Sequence, residues 1–339
     1  MPSGLSVAVI EPTDLVGTEI IRLLEERSFP LAELVLLGGR RSAGEQVEYR
    51  GVRISVRAAD GASFEGVDLA FFSCDRTMSE GLTGTARASR TTVIDLSSRH
   101  ALMDSVPLVV PEVNADVLGK GQGIISCPRA ATVELVLALA PIHNAARVRR
   151  VFATSFHPVS ELGGQAMDEL TGQVRDIFSF REVSAGVFPG QMAFNMIPLV
   201  STLTEGGYTE EELVMTMETR KILRDQALRM SVTCVRVPVF YSHGVTMIVE
   251  TERKIGPGEA REILEKAPGI AVQDEPAAGV FPTQVQAAGT DECLVGRIRE
   301  DLGHDNGIAL WAVCDNIRKG SALNAVQIAE HLLRTGTLG

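Results

Sequence analysis

The chain has 339 residues, 45% of them hydrophobic and 22% charged, which is enough apolar material for two ordinary domains and the wrong balance for a disordered protein. Its net charge of −11 would repel nucleic acid and anionic membrane surfaces, so neither is expected as a partner. No apolar run approaches the length of about 18 residues that a membrane-spanning helix needs. The N-terminus passes almost directly into Val7-Ala8-Val9-Ile10 without a basic leader, so a cytoplasmic location is expected.

Five scattered cysteines, Cys74, Cys127, Cys234, Cys293 and Cys314, fit buried thiols in a reducing compartment better than a disulfide frame or a zinc-binding cysteine set. The first apolar run, Ser6 to Ile10, is followed by a turn and a helical pattern in which Leu15, Val16, Ile20, Ile21 and Leu24 share a face through about Arg27. Further apolar runs lie at Leu34–Leu37, Val67–Phe72, Thr92–Ile94, Pro107–Val110 and Ile124–Ile125, with a helix near Met78–Ser89. Apolar strands alternating with helices describe a doubly wound parallel sheet of the Rossmann type, covered on both faces, over residues 1–130.

From Ala131 the rhythm changes. A helix leads into Val148–Thr154, and longer strands follow at Ser231–Val237, Gly244–Thr251, Glu292–Arg299 and Ile308–Val313. Helices are expected near Gln165–Ile177, Glu210–Leu223 and Gly256–Lys266. This pattern predicts a second α+β domain over 131–317 with a mixed or antiparallel sheet. The last helix, within 318–339, is amphipathic and is expected to complete the first domain.

The turn after the first strand, Glu11-Pro12-Thr13-Asp14-Leu15-Val16-Gly17, stands where a dinucleotide fold places its glycine-rich phosphate loop. Thr13, Leu15, Val16 and Gly17 are the candidate cofactor contacts. Two glycine-favouring positions are instead the carboxylates Glu11 and Asp14, which would repel a pyrophosphate. Asp14 is expected to cap the following helix and occupy donors a phosphate would use. Basic Arg41, beside Ser42 after the second strand, suits the 2′-phosphate of NADP better than the ribose of NAD.

Several segments together resemble the aspartate-β-semialdehyde dehydrogenase family. They are Arg41-Ser42-Ala43-Gly44, the run from Val106 to Asn114, the run from Cys234 to Phe240, and the run from Leu310 to Gly320 with Ala322-Leu323-Asn324-Ala325 after it. They occur in family order across nearly the whole chain. The resemblance implies the semialdehyde dehydrogenase fold, NADP as cofactor, a homodimer formed through the second domain, and a place in amino-acid biosynthesis. It also implies a catalytic cysteine at a helix N-terminus, where a thiolate is stabilised and attacks the aldehyde.

Position by position, that implication is only partly met. The family pattern Asn-Pro-Asn-Cys falls on Cys127-Pro128-Arg129-Ala130, so Ala130 stands at the nucleophile position. Loss of a covalent nucleophile elsewhere costs on the order of a million-fold in rate. Cys127, on the far side of Pro128, is a poorly placed substitute. By resemblance, His243 matches the acid–base histidine, Arg236 the arginine that grips the substrate carboxylate, and Glu218 and Lys221 the pair that meets the substrate amine and phosphate. His157 stands where the family has an orienting glutamine, and Asn316 on the cofactor-lining turn. Read without the resemblance, Glu218 and Lys221 are a solvated i,i+3 pair.

Other family motifs are altered. Asp95-Leu96-Ser97-Ser98 replaces Asp-Asn-Ser-Ser, and the phosphate arginine falls on Ala101, with Arg99 nearby as a stand-in. Ser160-Glu161-Leu162-Gly163 replaces Ser-Gly-Ala-Gly, and Cys74-Asp75-Arg76 replaces a small glycine-containing turn. The expectation is a family member that has lost the NADP-dependent dehydrogenase reaction, binds NADP weakly, carries no metal and acts as a dimeric, non-catalytic or regulatory protein. Two alternatives stay open: an enzyme of changed chemistry that binds a small amino-acid-like ligand, and a working dehydrogenase that uses another thiol.

Overall fold

A computed structural model describes residues 4–60 and 62–338. It divides into two compact units, one running up to Arg129 and resuming at Ser321, the other spanning Ala130–Gly320.

The first unit begins with β1 (Leu5–Ile10), α1 (Leu15–Glu26) and β2 (Leu31–Gly38), then a hairpin of β3 (Gln46–Tyr49) and β4 (Val52–Ser55), and β5 (Arg57–Ala58). It continues through β6 (Leu69–Phe72), α2 (Arg76–Ala88), β7 (Thr92–Asp95), the short α3 (Pro111–Asn114) and β8 (Ile124–Ser126). The sheet order is β5-β2-β1-β6-β7-β8, and every pairing in it is parallel. Chain order reverses beside β1, so the turns following β1 and β6 open at the switch point where such sheets bind ligands. The four residues of β6 are all buried, as a strand covered on both faces requires.

The expected strand at Pro107–Val110 reduces to a single bridge between Leu108 and Ser126. Pro107 has no N–H to offer a ladder, and Asn114 accepts the Val110 N–H and donates to the Leu108 carbonyl, holding the segment as a loop.

The second unit contains α4 (Ala130–Ala146), β9 (Val148–His157), α5 (Gly164–Phe178), α6 (Glu210–Leu223), β10 (Arg229–Arg236) and β11 (His243–Thr251). It then has α7 (Pro257–Glu265), β12 (Ile270–Val272), α8 (Gln284–Ala287), β13 (Cys293–Glu300) and β14 (Gly307–Cys314). Its sheet is mixed, in the order β10-β9-β11-β14-β13-β12, with β9–β10 and β12–β13 parallel and the other pairs antiparallel. Helix α4 is apolar around nearly its whole circumference, and most of its residues are buried.

The last helix, α9 (Asn324–Thr335), belongs to the first unit. Its apolar stripe of Ala325, Val326, Ile328, Ala329 and Leu332 joins the core made by α1 and the parallel sheet. Arg27 and Glu330 pair across the rim of that contact at 2.7 Å. Among the described residues, no helix is long and apolar enough to cross a membrane.

Candidate functional site

In the first unit, β1 ends at the loop where a pyrophosphate would lie. Glu11 sits there in the left-handed region, at φ 52°, a conformation that favours glycine. Its carboxylate turns onto the end of β2: Oε1 accepts the Gly39 N–H at 2.6 Å and Oε2 accepts the Ser42 hydroxyl at 2.9 Å. Gly17 is retained because a Cβ there would collide with the Glu11 carbonyl oxygen and separate helix from turn.

Asp14 occupies the N-cap position of α1, but its side chain makes no capping bond, which corrects the sequence expectation. Glu11, not Asp14, engages donors around the loop. Partial burial, followed by the charges of Glu11 and Glu45, pushes the Asp14 carboxyl above its ordinary range. Thr13, Leu15 and Val16 line the start of α1, Ser42 is buried against Glu11, and Arg41 is exposed.

On the neighbouring strands, Asp95 at the end of β7 is fully buried. It accepts from the hydroxyls of Ser79 and Ser97 at 3.0 and 2.6 Å and faces His100 Nδ1 at 2.9 Å. Arg99, the stand-in phosphate anchor, is paired with Glu80 at 2.8 Å. Cys127 forms no disulfide and is packed into the apolar core with Val109 and Ile125. Burial, then Asp95, Asp75 and Glu11, pushes the Cys74 thiol far up.

In the second unit, Ala130 is the first residue of α4. Gly320 lies directly against its methyl group; a Cβ on that glycine would stand 2.8 Å from the Ala130 Cβ. In the first turn of α4, Thr132 donates to Glu218 Oε2 at 2.6 Å. Glu218 is fully buried, which overturns its reading as half of a solvated pair, and Lys221 follows half-buried on the next turn of α6.

The centre of the second unit is built by strand ends. β9 closes on His157 and β10 on Arg236, which are register partners, and β11 opens on His243 beside the Gly244–Phe156 pair. The chain leaves β9 through a short 3-10 turn, Val159–Leu162, which swings Glu161 back over all three. Arg236 Nη1 donates to the Pro158 carbonyl at 2.8 Å and to Glu161 Oε2 at 2.5 Å. His157 Nδ1 lies 3.1 Å from Glu161 Oε2 and 3.1 Å from His243 Nε2.

His157 and His243 are fully buried and their rings meet edge to face. Burial pushes the His157 imidazole down to about 4, against the pull of Glu161, so it is neutral at physiological pH. Burial alone would raise the Glu161 carboxyl; the surrounding histidines and Arg236 outweigh it and hold it well below the usual carboxylate range. With His157 neutral, the balancing charge is that of Arg236. Asn316 holds the corner, accepting the Ser242 N–H at 2.9 Å and donating to the Ser160 hydroxyl at 3.1 Å. Ser242 is itself in the left-handed region, at φ 73°, and sets the entry of His243.

By resemblance the sequence brings His157, Arg236 and His243 to one site, whereas Glu161 reads there only as damage to a turn. The His157-x-x-x-Glu161 spacing, four residues apart across a proline, was the available signal. Chemically, the cluster is an arginine capped by an internal carboxylate beside two imidazoles.

Comparison with known proteins agrees across both units. Residues 6–120 match the model of the semialdehyde dehydrogenase NAD-binding domain, and residues 139–319 match that of the semialdehyde dehydrogenase dimerisation domain. The chain is 42% identical to the aspartate-semialdehyde dehydrogenase of Aquifex aeolicus over 99% of its own length and 100% of that protein's. It is 39% identical to that of Synechocystis over the whole of both chains. The crystal structure of aspartate semialdehyde dehydrogenase II from Vibrio cholerae superimposes with a TM-score of 0.92 at 38% identity, covering 98% and 99% of the two chains. A probable aspartate-semialdehyde dehydrogenase from Pseudomonas aeruginosa gives 0.91 at 32% identity, with the same coverage. The chain belongs to the aspartate-semialdehyde dehydrogenase family.

Proposed function

We propose that this protein is a homodimeric member of its family that does not carry out the NADP-dependent dehydrogenase reaction and acts through its fold, in a regulatory or partner-binding role. The observation that carries the reading is Ala130 as the first residue of α4, where the family's pattern has its nucleophile. A methyl group cannot add to a carbonyl. Cys127 does not replace it, because its side chain is buried in an apolar core with Val109 and Ile125.

Two further contacts support the reading. Glu161 occupies the guanidinium of Arg236, so a substrate carboxylate would have to displace a covalently tethered one. Glu11 occupies the Gly39 N–H and adds negative charge where a pyrophosphate would approach, which favours weak NADP binding. The homodimer rests on the match of residues 139–319 to a dimerisation domain.

A second reading, a small amino-acid-like ligand held for different chemistry, is favoured by one observation: Arg236 and His243 are both kept and buried at the same corner. The deciding experiment follows NADPH production from aspartate semialdehyde, NADP and phosphate, alongside NADPH binding by nicotinamide fluorescence. No turnover and no saturation up to millimolar cofactor are expected. Turnover would overturn the proposal, and its loss in Cys127→Ser would assign the nucleophile to that thiol.

A further inference from the structure

We infer that His157, Glu161 and His243 form a binding site for a divalent cation of the zinc class, with one open coordination position. Among the described residues, these three offer ligand atoms that all lie within 4.8 Å of one another. The facing edges are 3.1 Å between His243 Nε2 and His157 Nδ1, 3.3 Å between His157 Nδ1 and Glu161 Oε1, and 3.6 Å between His243 Nε2 and Glu161 Oε1. Four ligands at ordinary zinc distances form a tetrahedron with edges of about 3.3–3.5 Å. The three atoms therefore already approximate one face of that tetrahedron.

Proton counting points the same way. If both imidazoles are neutral and each carries its proton on the nitrogen facing the cluster, two N–H groups confront each other at 3.1 Å. If only His243 does, the His157 Nδ1 lone pair faces the Glu161 carboxylate. If only His157 does, the lone pair of His243 Nε2 faces Glu161 Oε1. In the last two cases a ring N–H is also left on His157 Nε2 or His243 Nδ1, both buried and without a hydrogen-bond partner. No placement of protons satisfies all three edges, whereas one cation accepts a lone pair from each atom.

The ligand set of two imidazoles and one carboxylate suits zinc-class ions, and a fourth position left to water is the pattern of an open site. The histidines stand on rigid strand ends, and Arg236 holds Glu161 through its other oxygen, as outer partners of metal-bound carboxylates do. The inference is independent of whether the dehydrogenase reaction is lost, because it needs neither Ala130 nor the nucleotide loop.

The test is titration of chelator-stripped, full-length protein with Co2+, followed by displacement with Zn2+. One equivalent per chain is expected, giving the intense visible absorption of four-coordinate Co2+, which Zn2+ then abolishes. His157→Gln, His243→Asn and Glu161→Gln should each weaken binding by more than the 10–100-fold typical of losing a partner outside the coordination sphere. Circular dichroism shows whether each variant is folded. X-ray absorption of the wild-type zinc complex serves where one is not: imidazole scattering with light atoms at about 2.0–2.2 Å is expected. Sulfur scattering, absence of stoichiometric binding, or unchanged affinity in folded variants would overturn the assignment.

Discussion

Replacing Glu161 by alanine tests how the central cluster is balanced. The substitution removes the carboxylate that Arg236 Nη1 meets at 2.5 Å and leaves a guanidinium only 4% exposed, still donating to the Pro158 carbonyl. Breaking a buried ion pair by deleting one partner costs about 3–5 kcal/mol. Glu161 is 27% exposed, so solvent recovers part of that loss, and about 3 kcal/mol is the working figure. For a domain of this size that lowers the melting temperature by about 6–12 °C.

The vacated position is shaped for a carboxylate, so a small dicarboxylic acid should restore stability in the variant and leave the wild type unmoved. At a hundred times its Kd, such a ligand contributes about 2.7 kcal/mol, which nearly closes the gap. Differential scanning fluorimetry with and without succinate or aspartate reads both effects. Equal melting temperatures for the two proteins, or an equal response of both to the acid, would refute the claim that Glu161 occupies a carboxylate site on Arg236.

Glu11→Gly removes a charge from the phosphate loop, releases the Gly39 N–H and relaxes a left-handed residue, so NADPH affinity should rise at least tenfold by fluorescence titration; no change would mean the loop is closed for another reason. Ala130→Cys should create a thiol that alkylates readily because it stands at a helix N-terminus, yet yield no NADPH while Glu161 remains on Arg236. Robust turnover by that single variant would show that the surrounding changes are harmless. Glu134, on α4, is fully buried with neither oxygen hydrogen-bonded, and burial, then Cys314, holds its carboxyl well above the usual range. A group raised in this way contributes less to stability as pH rises above its unfolded value of about 4.3. Glu134→Leu should therefore stabilise the protein by about 1–3 kcal/mol, and chemical denaturation should show the advantage widening as pH rises above that unfolded value. Gly320→Ala drives a methyl group onto the Ala130 Cβ and should cost about 1–3 kcal/mol in the same assay.

The sequence by itself determined the layers of both units, because burial on one or both faces writes a period into the residues: the four apolar residues of β6 and the amphipathic stripe of α9 were legible for that reason. It also settled that no cysteine stands at position 130, which is a matter of identity and needs no coordinates. Order and spacing of motifs carried the family. Only tertiary structure decided where the charges go. Glu11 was visible as a misfit in a phosphate loop, but its bonds to Gly39 and Ser42 depend on β2 lying beside β1. Glu161 read as a damaged turn, and its meeting with Arg236 and His243 bridges 75 and 82 positions of chain through the pairing of β9 with β10 and β11. Hydrophobic periodicity is a local record of burial, whereas an ion pair or a ligand set depends on side-chain directions at strand ends that no local pattern encodes.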